Sequence, residues 1–368
     1  MGAFPAMPEP LRLLCLLSSL VLLAGCETLA YYTQAIGGQI EISTRARPIE
    51  VVLQDPATDT SLRRRLESAR AIREYASSAL GLPDNGSYRS YADLGRPYVV
   101  WNVVAAPEFS TKAIKSCFPV AGCVTYRGFF NQAGAERHAD SLRATGDDVQ
   151  VAGIPAYSTL GWFDDPLLSS FISYQESELA RLIFHELAHQ MVYLKGDTVF
   201  NESFAVAVER EGVRRWLEAQ GRHADLAAFR AARERYREFI ALIETAKTRL
   251  ERIYAAAQTG KSIESRRAEK RAAFDEFLRE YAGLKARWGG FSGYDRIIGS
   301  APNNALLASI SAYSNLVPEF ERILAESGGD LPRFYVTVKR IAEMPAAERC
   351  AVLSSASTPA GSLKSGAC

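Results

Sequence analysis

The apolar residues Leu179, Leu182, Ile183, Leu187, Met191 and Leu194 recur at steps of three and four, the period of one buried helix face. The acidic stretch Gln175-Glu176-Ser177-Glu178 suits the positive end of a helix dipole. Gly196 is expected to end this helix. Beyond it, Asp197 as N-cap and the stripe Val199, Phe200, Phe204 and Val208 predict a second helix. A short turn at residues 195–197 would fold that helix back on the first.

Elsewhere the period changes. Residues 60–80 read as a charged, alanine-rich helix stopped by Gly81. Residues 98–105 are β-branched and aromatic, hence a strand. Residues 124–130 read as another strand or its end, 133–145 as a helix and 148–152 as a third strand. The chain from Tyr31 is a short helix or linker, and residues 49–53 continue it or form a brief strand. Gly and Pro interrupt residues 153–166, which makes them a loop or edge segment. From Val213 to Arg287 the chain is charged and nearly free of β-branched runs, with Leu217, Phe229, Phe239, Leu250, Phe277 and Leu284 among its helix-spaced apolar positions. A break near residues 258–261 makes this a long helical hairpin. Residues 288–294 are a loop, and Pro302-Asn303-Asn304 opens a helix through Leu307, Ile310, Tyr313 and Leu316.

These elements predict an α+β, mostly helical fold: a small sheet packed on the helix of residues 179–194, with the long hairpin attached. The expected divisions are a leader (1–25), a core (26–212), the hairpin (213–290) and a C-terminal helical part of the same unit (291–368).

Composition narrows the picture. The 368 residues carry a formal net charge of +1, which offers nothing for nucleic acid, and the hydrophobic fraction of 48% is that of an ordinary globular protein. Residues 13–23 are apolar but too short to span a bilayer as a permanent helix. They end in Leu23-Ala24-Gly25-Cys26, which resembles a bacterial lipobox. That resemblance implies that Cys26 becomes the lipidated first residue and holds the chain on a membrane, since more than one acyl chain anchors stably. Residue 27 is Glu and not Asp, which implies the outer rather than the inner membrane. Of six cysteines, Cys15 leaves with the leader. Cys117, Cys123, Cys350 and Cys368 allow three pairings. The local pairs Cys117–Cys123 and Cys350–Cys368 are the simplest, and disulfides fit an oxidising periplasm.

The candidate chemistry lies on the first helix. The stretch His185-Glu186-Leu187-Ala188-His189 uses two of only four histidines. Residues four apart share a helix face, so the two imidazoles are able to share one Zn²⁺, with Glu186 beside the metal as a general base. A hydrolytic zinc site needs a third protein ligand. Glu202, in Asn201-Glu202-Ser203-Phe204-Ala205, would face the histidines from the second helix. Glu209 and Glu211 on the same helix are its rivals, and Glu209 is alternatively a carboxylate that orients a ligand histidine.

Asn-Glu-x-x-Ala after His-Glu-x-x-His resembles the glutamate-zincin metallopeptidases, although the gap here is several residues shorter than in most of them. The lipobox, the cysteines before Tyr126-Arg127-Gly128, the run 155–166, His185–His189 and Asn201–Ala205 together resemble a family of bacterial lipoprotein zinc aminopeptidases. The resemblance spans most of the chain after residue 25. It implies a zincin-like catalytic fold, with Glu202 as third ligand and Glu186 activating water. It also implies a tyrosine near the oxyanion, for which Tyr313, Tyr157 and Tyr294 are candidates, and an edge segment before the metal helix that binds extended peptide. Asp164 and Asp165 would hold a substrate's α-amine or else form a turn and helix cap. Asn303 and Asn304 would bind substrate backbone or cap a helix. The expected activity is that of a zinc-dependent aminopeptidase in the periplasm. The alternatives are a zinc endopeptidase or amidase with the same centre, and a non-catalytic envelope lipoprotein with a structural metal.

Overall fold

The computed structural model describes residues 31–118, 122–256, 260–299, 301–310 and 316–354. The leader, Cys26, Tyr313 and Cys368 lie outside the described residues. Helix α1 (residues 31–45) leads through β1 (Arg47–Pro48) and α2 (Ile49–Gln54) to α3 (Thr60–Ser78). Next come β2 (Ser90–Ala92), β3 (Val100–Ala106), the hairpin β4 (Ser116–Phe118) and β5 (Gly122–Val124), β6 (Arg127–Phe129), α4 (Gln132–Ala144) and β7 (Asp148–Ile154). Strand β8 (Leu167–Leu168) precedes α5 (Glu176–Met191), α6 (Thr198–Ala219), α7 (His223–Ala256) and α8 (Ile263–Arg287). The chain continues through α9 (Asp295–Ile298), α10 (Asn304–Ile310), α11 (Val317–Glu326), α12 (Leu331–Glu343) and α13 (Ala346–Ser354). The fold is α+β and mostly helical, and no helix among the described residues is long and apolar enough to cross a membrane.

The main sheet is antiparallel in the order β6-β3-β7, with Asn102 opposite Gly128 and Ala152. Side chains alternate across it. Trp101, Val103 and Phe129 pack on Ala135 and Ala139 of α4. On the other face Val104 and Ala106 pack on Ala305 of α10, while Val100 and Asn102 face a cleft. The smaller sheet β1-β2-β8 pairs β2 with β8 in parallel. Cys117 and Cys123 are bonded across the β4–β5 hairpin. Helix α1 covers the outer edge of β6, where Gln34 accepts from Phe130 N at 2.9 Å and donates to Gly128 O at 3.3 Å.

Three expectations are corrected. The first helix ends at Met191, not at Gly196. Val192 is already extended, and Gly196, at φ +85°, serves the next turn; the apolar period ran on through Leu194 because that residue packs on the core without being helical. The hairpin starts at His223, because Val213, Trp216 and Leu217 belong to the buried face of α6. Finally, the sheet does not pack on α5 as a layer. Its helical neighbours are α4 and α10, whereas α5 packs chiefly on α3 and α6.

Helices α5 and α6 approach closely at Gly212, where a Cβ would meet Phe184 Cδ2 at 2.7 Å and Leu80 Cδ1 at 2.9 Å. Both neighbours are fully buried, so neither has room to swing away. Gly212→Val is expected to cost about 1–3 kcal/mol by overpacking, seen as a lower thermal midpoint.

Candidate metal centre

The turn between α5 and α6 is short because side chains replace the missing helix partners. Asn201 accepts from Leu194 N at 2.7 Å and donates to Leu194 O at 2.8 Å, bracketing the backbone of the turn from inside the next helix. Asp197 caps α6 by accepting from Phe200 N at 3.0 Å. Helix α6 therefore folds straight back, and Glu202, one residue after the bracketing asparagine, meets the histidine face of α5.

His185 Nε2 lies 3.2 Å from His189 Nε2 and 3.3 Å from Glu202 Oε2, and His189 Nε2 lies 3.6 Å from Glu202 Oε1. Zinc–donor bonds of ~2.0–2.1 Å at tetrahedral angles place donors ~3.3 Å apart. The three side chains thus have the separations that one small cation requires. Among the described residues they are the one group of three or more metal-ligating side chains brought within such reach.

Behind the donors stands an ion-pair chain, buried at Glu209 and half-buried at Arg181, Glu178 and Arg233. Glu209, 2% exposed, accepts from His185 Nδ1 at 2.9 Å and from Arg181 Nη1 at 3.0 Å. Arg181 also donates from Nε to Glu178 at 2.7 Å, and Arg233 of α7 reaches Glu178 at 3.0 Å. Burial works against the Glu209 charge, but Arg181 and then His185 hold its pKa down at about 2. Burial likewise opposes charge on His185, yet its hydrogen bonds to Glu202 and Glu209 lift its pKa to about 10. His189 is pushed down to about 4 by burial and by the charge of His185, and among the described residues its buried Nδ1 has no hydrogen-bond partner. Glu186, partly open to the cleft, rises to about 7 through burial, with Glu202 and Asp165 adding to the lift and His185 and Arg181 opposing it.

The donors lie on the floor of a cleft of about 440 Å³. One wall is α1, through Tyr31 and Ala35. The face of the main sheet supplies Val100, Asn102, Gly128 and Ile154, and the following loop supplies Ala156, Tyr157, Ser158 and Leu160. Tyr126, Phe130 and Tyr193 complete the lining. Asn102 had not been singled out from sequence. Its signal was available, as the lone polar side chain in the otherwise apolar run of β3.

The other expected residues are distributed as follows. Tyr157 lines the cleft, but its hydroxyl donates to Gln39 of α1. Asp165 is buried and accepts from Thr159 N at 2.9 Å, Thr159 Oγ1 at 2.8 Å and Ser158 Oγ at 3.3 Å, so it braces the loop. Asp164 is exposed, lies against Gly86 and is not part of the lining. Asn303 accepts from Leu306 N at 3.0 Å and donates to Val149 O at 3.1 Å. Asn304, fully buried, accepts from Tyr254 Oη at 2.9 Å and donates to Glu108 O at 3.0 Å. Neither asparagine lines the cleft. Glu211 is paired with Arg214 and Arg215, and Tyr294 stacks on Phe239 with ring centres 4.3 Å apart.

The sequence model of a protein family described as "Putative aminopeptidase" matches residues 30–353. No curated protein and no solved structure matches the chain.

Proposed function

The chain belongs to this aminopeptidase family, and from that membership together with the donor geometry we propose a zinc-dependent peptidase with a zincin-like centre. The observation that carries the zinc reading is the mutual spacing of His185, His189 and Glu202. Bound there, Zn²⁺ would supply a Lewis acid for the scissile carbonyl and acidify water. Glu186 takes the proton of the attacking water and returns it to the leaving amine. Glu209 holds the Nδ1–H of His185, which leaves Nε2 as the lone-pair donor. Asn102 is placed to hydrogen-bond a substrate amide on the sheet wall. Tyr126, whose hydroxyl feels the Glu202 carboxylate, is the candidate near the developing oxyanion, since the Tyr157 hydroxyl is already donated to Gln39. We further propose that Cys26 is lipidated and that the enzyme faces the periplasm, held by its lipid on the outer membrane in preference to the inner.

The family description favours release of N-terminal residues. One observation favours an endopeptidase instead: among the described residues, the acidic side chains lining the cleft are Glu186 and Glu202, both engaged at the centre. An aminopeptidase needs a group that recognises the free α-amine, and Asp165 is occupied in its own loop. Aminoacyl-anilides and N-acetylated peptides offered to the same purified protein separate the two. About one zinc per chain and cleavage lost on chelation are expected in either case. Cleavage confined to free amines establishes the exopeptidase, and equal cleavage of acetylated peptides the endopeptidase. Zinc bound without cleavage of either class would leave a structural metal, and absence of zinc would end the metallopeptidase reading.

A further inference from the structure

We propose that the mouth of the cleft lies against the bilayer that carries the chain, and that its substrates are polypeptide segments held at that lipid surface. This rests on the peptidase reading and on lipidation of Cys26. The first argument is covalent. Tyr31 is part of the cleft wall and stands five residues after Cys26. An extended chain spans at most ~3.3–3.6 Å per residue, so a lipid on Cys26 keeps that wall within ~18 Å of its anchor, less than the thickness of a bilayer core.

The second argument is the rim. On α1, Ile36 and Ile40 are 60% and 57% exposed. Helical spacing puts the two isoleucines on one outward face of α1, with Ile36 one turn before Gln39, the residue that receives the Tyr157 hydroxyl. From Tyr157 the chain runs along the cleft through Leu160 to Trp162, 85% exposed, and Phe163, 56% exposed. Trp162 is held out, not merely left out. Leu160 and Gly161 both adopt positive φ, +57° and +81°, a conformation costly for leucine. The three hydrogen bonds to buried Asp165 brace the residues just before them. Tryptophan and tyrosine rings favour the boundary between headgroups and acyl chains. An opening walled by a tethered helix and edged by outward apolar side chains fits a lipid surface, with the substrate entering along it.

The test uses the full-length lipidated protein reconstituted in phosphatidylcholine–phosphatidylglycerol vesicles with brominated acyl chains, which quench tryptophan on contact. Wild type should be quenched clearly more than Trp162→Phe. A flexible Gly/Ser insertion of about 20 residues after Glu27 should abolish that difference. Equal quenching of wild type and Trp162→Phe, or a Cys26 without acyl chains, overturns the proposal. In a second arm, one peptide sequence is offered free and anchored to the vesicles. The insertion should lower the anchored-to-free cleavage ratio several-fold and leave the free-peptide rate unchanged. An unchanged ratio overturns the substrate assignment. Failure of wild type to cleave either form overturns the peptidase reading and the substrate assignment with it, while the quenching result still decides the membrane contact.

Discussion

Glu186→Gln is expected to leave the proposed zinc bound and to lower turnover by a factor on the order of 10²–10⁴, the contribution of a positioned general base. Glu186 is not one of the three converging donors, so an amide of the same shape leaves the coordinating geometry alone. It cannot take a proton. The side chain sits in the cleft beside His185 and His189, where burial has already lifted its pKa to about 7. Zinc content and kcat measured on one preparation give the result. His189→Ala is the contrast, because it removes a donor and should lose metal and turnover together. A glutamine variant that turns over like wild type would sink the role assigned to Glu186.

Glu209→Ala should be the most destabilising single change at the centre, costing about 3–5 kcal/mol, and should weaken zinc binding by roughly 10–100-fold. The first effect comes from Arg181, which is left facing α6 with one partner gone and only Glu178 remaining. The second comes from His185, whose Nδ1 loses the acceptor that fixes its ring. Glu209→Gln separates them. It retains an acceptor for the ring and removes the charge, so more of the zinc affinity should survive than of the stability. Denaturant unfolding and competition against a chelator supply the two numbers. Wild-type values for both in Glu209→Ala would falsify the ion-pair account.

Both effects trace to one helical row, Arg181–His185–His189, and its legibility is uneven. The histidines are legible at once, since the proposed metal ligation demands their type and their spacing together. Glu202 and Glu209 were legible as carboxylates on a helix that folds back, but their division of labour depends on the pitch at which α6 returns. That pitch is set by Asn201 gripping Leu194, a contact with no local signature. Arg181 is a charge beside an apolar stripe, and nothing in periodicity distinguishes an ion pair with a buried carboxylate from a solvated one. The strand–strand–helix–strand order of β3, β6, α4 and β7 followed from β-branched and aromatic runs on either side of a helical stretch. Where that sheet would dock did not, because both of its faces are apolar along β3. Helix α1 was the least legible wall of the cleft. Its seat depends on Gly38, where a Cβ would fall within 2.0 Å of Phe130, and a lone glycine reads equally as a linker.

The bracketed turn between α5 and α6 also bears on how the chain assembles. His185 and Glu209 are 24 residues apart, whereas Asn304 reaches Asp148 across 156. Loop-closure entropy grows as the logarithm of length, so the nearer pairing is favoured by ~2 kcal/mol before any contact energy is counted. The donor set is a local structure carried by one helical hairpin, while the walls of the cleft come from distant parts of the sequence. A nascent chain would therefore hold a metal-competent hairpin early, before α10 closes on the sheet. Zinc present during refolding should speed the early phase and leave the late, long-range phase at its own rate.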